Sequence, residues 1–104
     1  CLMVRKSVYD EVKGLDEDYR VAFNDIDFCL KVRKAGYLVV YNPYAQFYHY
    51  ESKSRGLEDS ADKVARFQQE IALFGSHWED ILEHGDPYYN PNLTLDKADF
   101  SLKE

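Results

Sequence analysis

The sequence predicts a small α/β domain, and two kinds of pattern support that class. Apolar residues recur at helical spacing in residues 24–35 and again from about 58 to 78. The runs at 2–5 and 37–41 are instead short and dense in β-forming residues. A chain of 104 residues allows one domain with a modest core. We therefore expect short strands with about three helices packed on them.

Composition excludes several classes of protein. The 13 Lys and Arg against 19 Asp and Glu give a net charge of -6, which is the opposite of the basic footprint of a nucleic-acid binder. A hydrophobic content of 45% is typical of a folded chain, and no apolar run is long enough to span a bilayer. Two cysteines, Cys1 and Cys29, make no disulfide framework. We therefore expect a cytoplasmic protein with no nucleic-acid partner.

The first elements are a strand and a short helix. The run CLMV begins at residue 1 without a turn and is apolar on both faces, so it needs neighbours on both sides. We interpret the chain as a fragment and expect self-association through this exposed strand. A helix over 6–13 follows, stopped by Gly14 in a left-handed conformation.

The second helix, 24–35, carries two acids at its start. Asn24 is a good N-cap residue, and Asp27 at the third helical position can close a capping box and pair with Lys31. Gly36 ends the helix. Capping and catalysis are both open explanations for Asp25 and Asp27 at this stage.

Later elements are a strand, a long helix and an irregular tail. The strand 37–41 is stopped by Asn-Pro, and the Pro- and Asn-rich end of the chain predicts no regular structure. In the long helix charged residues, Glu70 among them, are expected to face away from an apolar stripe. We call this set the aromatic stripe: Phe67, Ile71, Phe74 and Trp78.

Three segments within residues 1–56 carry a family resemblance: CLMVRKSVYDEVKGLDEDY, NDIDFCLKVRKAGY and VVYNPYAQFYHYESKS. Their order and spacing resemble the C-terminal half of the catalytic domain of family 2 glycosyltransferases, GT-A enzymes that use nucleotide sugars. The tail GDPYYNPNLT is similar to bacterial members that build surface polysaccharides such as rhamnose-containing chains. The resemblance implies one partial GT-A domain, with core motifs in 1–56 and C-terminal helices and tail in 57–104.

The resemblance implies a role for each acid around the second helix. Asp25 matches the general base, a carboxylate that takes the proton of the acceptor hydroxyl while its oxygen attacks the anomeric carbon. The family usually has Glu where this chain has Asn24, so Asp27 stays an alternative base. Asp16 and Glu17 match an acidic pair that shapes the acceptor pocket, and otherwise they are turn residues.

The resemblance also implies a divalent cation, Mn²⁺ or Mg²⁺, in the full-length enzyme. His49 matches a histidine that completes the coordination of that cation, although without the resemblance a histidine between aromatic residues is more often buried and hydrogen-bonded than a ligand. Lys53 and Arg55 follow the His49 position, where cations can neutralise a leaving diphosphate, and the alternative is a solvated loop. Asp25 and Asp27 lie about 200° apart around a helix, which suits a shared cation badly.

The sequence is therefore interpreted as the acceptor-side part of a bacterial inverting glycosyltransferase. The implied partners are a nucleotide-sugar donor and a glycan or lipid-linked acceptor, with peripheral association of the full-length enzyme at the inner face of the membrane. The 104 residues alone are expected to be inactive. The alternative is a non-catalytic interaction domain that docks on a partner through the aromatic stripe.

Overall fold

The computed structural model describes residues 1–20, 22–50 and 61–104, and its regular elements are helices. Their bounds are α1 Lys6–Glu11, α2 Asn24–Lys34, α3 Ala61–His77 and α4 Glu79–His84. The three predicted helices are confirmed within the described residues, and the predicted start of the third at about residue 58 lies outside them. The chain divides into two units, Cys1–Phe74 and Gly75–Glu104, each described by itself below. The predicted division near residue 56 falls outside the described residues and stays a prediction.

Helix α1 ends in a Schellman motif. The Gly14 N–H donates to the Tyr9 carbonyl at 2.8 Å, and the Lys13 N–H donates to the Asp10 carbonyl at 3.1 Å. Lys13 and Gly14 both have a φ of +64°. A Cβ atom at Gly14 would lie 2.7 Å from the Tyr9 ring, so backbone conformation and packing both require glycine there. The helix thus ends before Gly14, as predicted, but Lys13 is the first left-handed residue.

Helix α2 ends in the same motif at Gly36. The Gly36 N–H donates to the Arg33 carbonyl at 3.0 Å, and the Tyr37 N–H donates to the Val32 carbonyl at 3.2 Å. Gly36 has a φ of +96°. The predicted end of α2 at Gly36 is confirmed, and its cause is the left-handed conformation of this glycine.

A small apolar core joins α1 to α2. Val8 from α1 packs with Phe28 and Val32 from α2, and the half-buried Val12 lies against them. The rings of Tyr9 and Phe28 have centroids 5.6 Å apart. This contact fixes the two helices that flank residues 12–23.

Helix α3 packs on the residues that lead into α2. The Phe23 ring stacks on Phe67 and Phe74, with centroid distances of 5.8 and 5.1 Å, and Tyr19 meets Phe74 edge-on at 6.3 Å. Two members of the aromatic stripe therefore have partners within the first unit.

The predicted strands at 2–5 and 37–41 do not form. Both segments lack regular secondary structure, and the bridge between Leu93 and Leu102 is the only β-pairing in the described part of the chain. A strand needs a neighbour to bind its backbone groups, and among the described residues no segment forms a β-ladder with either of these two. Their apolar side chains are exposed, Met3 at 95% and Leu38 at 80%. The α/β class and the GT-A assignment stay predictions.

The second unit contains the last turn of α3, α4 and an irregular segment, the last as the tail composition predicts. Its turns are closed by Asp and Asn side chains, for example the Asp86 carboxylate that accepts from the Tyr88 N–H at 2.8 Å. The Leu93–Leu102 bridge is flanked by the Thr94 N–H donating to the Ser101 carbonyl at 2.8 Å. Across the described residues of both units, no helix is long and apolar enough to cross a membrane.

Candidate active site at the start of helix α2

The loop 14–23 connects α1 to α2, and its first half is tied to α2 by Lys31. The Lys31 ammonium donates to the Gly14 carbonyl at 2.6 Å. Further along, the Asp16 carboxylate accepts from the Asp18 N–H at 2.9 Å, and the Asp16 carbonyl accepts from the Tyr19 N–H at 3.2 Å. This is an Asx turn, so the prediction that Asp16 is a turn residue is confirmed.

Helix α2 begins differently from the predicted capping box. Phe23 occupies the N-cap position with a φ of +67°, and no side chain caps it among the described residues. Asn24 is the first helical residue, and its side-chain oxygen accepts from the Asp25 N–H at 2.8 Å. The prediction that Asn24 caps the helix with Asp27 closing a box is therefore wrong. The reason is that Asp27 is drawn inward, away from the helix end.

Asp25 and Asp27 have opposite environments. Asp25 is exposed at the helix start, and its Oδ1 accepts from the Ile26 N–H at 2.9 Å. Asp27 is only 2% exposed, and its Oδ2 lies 3.7 Å from the Lys31 ammonium. The predicted Asp27–Lys31 pair is confirmed, and one exposed and one buried acid is what a separation of about 200° produces. Only Asp25 is therefore open to an approaching substrate.

Tyr19 is a buried hydroxyl that the sequence analysis did not single out. Burial, and next the negative charge of Asp27, raise its pKa to about 12, with smaller contributions from Asp16, Asp18 and Glu70. At neutral pH Tyr19 is therefore protonated. The start of α2 thus combines the accessible carboxylate of Asp25 with the neutral, buried phenol of Tyr19, which lies close to Asp27.

Glu70 of α3 was predicted to face away, and that prediction is wrong. It is 3% exposed, and its carboxylate accepts from the backbone N–H groups of Arg20 at 2.5 Å and Ala22 at 3.0 Å. The signal in the sequence was its position three residues after Phe67 and four before Phe74, which places Glu70 on the aromatic stripe.

Asp16 and Glu17 border a shallow depression on the loop. It has a volume of about 530 Å³ and is lined by Val12, Lys13, Leu15, Asp16, Glu17 and Lys31. Asp16 is half-buried and Glu17 is exposed. Mixed charges and two aliphatic side chains suit a polar ligand, but the acceptor role of the two acids stays a prediction.

Of the residues predicted to bind the cation or the diphosphate, His49 lies in the part of the chain that the structure describes. His49 is exposed in an irregular segment, which removes the alternative of a buried, hydrogen-bonded histidine. Among the described residues no group of three or more His, Cys, Asp or Glu side chains is arranged to hold a metal ion. Those residues alone therefore do not fit a divalent cation. Lys53 and Arg55 lie outside the described residues.

Comparison with known proteins relates this chain to glycosyltransferases. It is 36% identical over 74 residues to the N-acetylglucosaminyl-diphospho-decaprenol L-rhamnosyltransferase of Mycobacterium tuberculosis, an alignment that covers 71% of this chain and 24% of that enzyme. It is 30% identical over 103 residues to the O-antigen biosynthesis protein RfbC of Myxococcus xanthus, covering 99% of this chain and 8% of RfbC.

A third relative is the protein named as uncharacterized protein y4gI of Sinorhizobium fredii. It is 48% identical over 103 residues, or 98% of this chain and 11% of its own length. The chain thus spans between 8% and 24% of the lengths of these relatives. No family model and no solved structure matches the chain significantly.

Proposed function

We propose that this chain is the acceptor-side part of an inverting family 2 glycosyltransferase with a GT-A fold. In this proposal the whole polypeptide moves a sugar from a nucleotide-sugar donor to a hydroxyl of a glycan or lipid-linked acceptor during synthesis of a cell-surface polysaccharide. Two relatives support it through their names, one for O-antigen biosynthesis and one for transfer of L-rhamnose to a lipid-diphosphate-linked sugar. The proposed compartment is the cytoplasm, at the inner face of the membrane, where a lipid-linked acceptor is presented.

The observation that carries the proposal is the exposed Asp25 carboxylate on a rigid helix end beside the buried Asp27. A general base must reach the proton it removes, and a side chain on the first turn of a helix is held within a narrow range of positions. Asp27 is sequestered by burial and by Lys31, so it supports the helix and the loop. We therefore assign the proton-accepting role to Asp25.

In this proposal the nucleotide-sugar donor and the cation are bound by the whole polypeptide. When bound, a divalent cation neutralises charge on the diphosphate of the nucleotide sugar. His49 would contribute one nitrogen ligand, with the remaining ligands supplied outside the described residues. This chain's own contribution is to place the acceptor hydroxyl against Asp25, with Asp16 and Glu17 along the bordering depression.

The alternative of a docking domain has less support from the packing. Its docking surface was the aromatic stripe, and Phe67 and Phe74 already stack on Phe23 within the first unit.

The test is a set of initial rates on the whole polypeptide encoded by the gene that carries these residues. Asp25→Asn keeps the shape of the side chain but cannot take a proton, so turnover should fall about 10²-fold or more with little change in melting temperature. Asp27→Asn should lower the melting temperature through loss of the Lys31 pair and keep most of the activity. His49→Ala should raise the cation concentration needed for half-maximal rate.

Asp10→Asn is the matched control, because Asp10 is an exposed acid of α1 paired with Lys6 at 2.8 Å. It should leave turnover unchanged. If Asp27→Asn abolishes turnover while Asp25→Asn does not, the base is Asp27. Near-normal turnover in both variants would leave these acids with a structural role only.

A further inference from the structure

One face of α3 holds the backbone that leads into α2. Phe67, Glu70 and Phe74 are spaced at i, i+3 and i+7, which places them on the same side of the helix. The two rings stack on Phe23, and the carboxylate between them binds two backbone N–H groups. The hydrogen bonds of Glu70 link residues 48 and 50 positions apart in the chain.

The held backbone has a conformation that needs support. Phe23 has a φ of +67°, a left-handed value that residues other than glycine adopt rarely and only where the surroundings enforce it. Helix α2 starts at the next residue, and Asp25 follows one position later. The direction in which the first turn of α2 leaves the loop, and with it the position of Asp25, depends on this support.

We propose that Glu70 is a positioning residue for Asp25: its buried carboxylate clamps the Arg20 and Ala22 N–H groups and so fixes the turn from which α2 begins. This inference rests on the proposed function. In this inference Glu70 acts through the Arg20 and Ala22 N–H groups and not on the reacting atoms. Because a displacement of about 1 Å in a reacting group can cost about 10²-fold in rate, a loosened clamp should lower turnover strongly.

The carboxylate is suited to this task because both of its oxygens are acceptors. Glutamine has nearly the same size but replaces one oxygen with an NH₂ group. That group is a donor and faces a backbone N–H, which is also a donor, so the hydrogen bond at that position is lost. Glu70→Gln therefore releases one N–H group without opening a cavity. Glu70→Asp keeps both acceptors on a side chain one methylene shorter, so it should retain part of the clamp.

Two control variants separate positioning from general stability. Gln69→Ala alters the exposed neighbour of Glu70 on α3. Val32→Ala removes buried methyl groups from the core between α1 and α2, which lowers stability without touching the clamp. Rates are compared at a temperature well below the melting temperature of every variant.

The experiment combines hydrogen exchange and kinetics on the whole polypeptide. In Glu70→Gln, exchange should rise in residues 19–27 and stay unchanged in 30–37, and kcat should fall about 10²-fold while the KM for the donor changes less than about twofold. Glu70→Asp should recover part of both effects. Gln69→Ala and Val32→Ala should keep kcat within about twofold of wild type.

Three results would overturn the inference: unchanged exchange in 19–27, an equal rise in both segments, or a local rise with unchanged kcat in an active enzyme. A wild-type polypeptide that transfers no sugar overturns the proposed function, and the catalytic consequence for Asp25 with it. Exchange in 19–27 still decides in that case whether Glu70 holds the turn.

Discussion

The loop 14–23 and the segment 37–50 are both outside the helices, yet they differ in how their backbone is supported. In the loop, Lys31 binds the Gly14 carbonyl and Glu70 binds the N–H groups of Arg20 and Ala22. The segment 37–50 has a turn closed by the Asn42 side chain, and its large apolar side chains are exposed, Tyr44 at 92%. In the loop 14–23, irregular backbone is thus held by polar side chains of α2 and α3. Residues with a preference for strands stay exposed where no neighbouring strand is present.

An aromatic residue in the core between the loop's two helices should contribute far more to the free energy of unfolding than one in the exposed segment 37–50. Phe28, 2% exposed, lies in the core between α1 and α2, the helices that the loop connects, and Phe28→Ala should lower the free energy of unfolding by about 3–5 kcal/mol. Tyr44→Ala in the exposed segment should change it by less than about 0.5 kcal/mol. Chemical denaturation of the purified variants measures both values. A large effect of Tyr44→Ala would show that the segment 37–50 has a packing partner in solution.

Substitution of two glycines, at the ends of α1 and α2, distinguishes the contribution of backbone conformation to stability from that of packing. Gly14→Ala would combine a positive φ with a Cβ 2.7 Å from the Tyr9 ring, so we expect a loss of about 2–4 kcal/mol. Gly36→Ala has a positive φ but no atom within 4 Å of the added Cβ, so its loss should be about 1–2 kcal/mol. The same denaturation experiment compares them. Equal losses would mean that the Tyr9 contact contributes nothing at Gly14.

The buried phenol of Tyr19 in the loop should make the stability of the folded chain depend on pH. The pKa of Tyr19 is raised to about 12 from an ordinary value of 10.0. Between these values the folded chain binds more protons at Tyr19 than the unfolded chain does. The stability contributed by Tyr19 is therefore complete below pH 10 and declines as the pH rises toward 12.

The measurement is the melting temperature of wild type minus that of Tyr19→Phe, followed from pH 9 to 12. We expect this difference to shrink above pH 10. Tyr44→Phe, at an exposed position, is the control for loss of a hydroxyl. A difference that stays constant to pH 12 would mean that the Tyr19 hydroxyl is not held away from solvent.

Sequence patterns predicted those features that local chemistry determines. Helix α2 and its end at Gly36 follow from periodicity and a residue that tolerates positive φ, and the Asp27–Lys31 pair follows from spacing within one helix. The role of Glu70 could not be derived this way, because its partners are backbone groups about 50 residues earlier in the chain. The helical spacing placed Glu70 on the aromatic stripe, but its charge favoured the exposed side, and no local pattern identifies the backbone groups that it binds.

The strand predictions fail for a related reason. Residues 2–5 and 37–41 have the composition of strands, but a strand forms only where a second segment binds its backbone. Composition reports that preference and does not report whether a neighbour is present. Likewise, the left-handed Phe23 at the start of α2 depends on stacking with Phe67 and Phe74, which local propensity does not encode.

The central claim is that Asp25 removes the proton of the acceptor hydroxyl, and the pH dependence of kcat in the whole polypeptide tests it most directly. A required base gives a limb on the acid side, along which kcat falls about tenfold per pH unit. We predict this limb in wild type and in Asp27→Asn, and a low, nearly flat profile in Asp25→Asn. An acid limb that persists unchanged in Asp25→Asn would contradict the claim and place the base elsewhere.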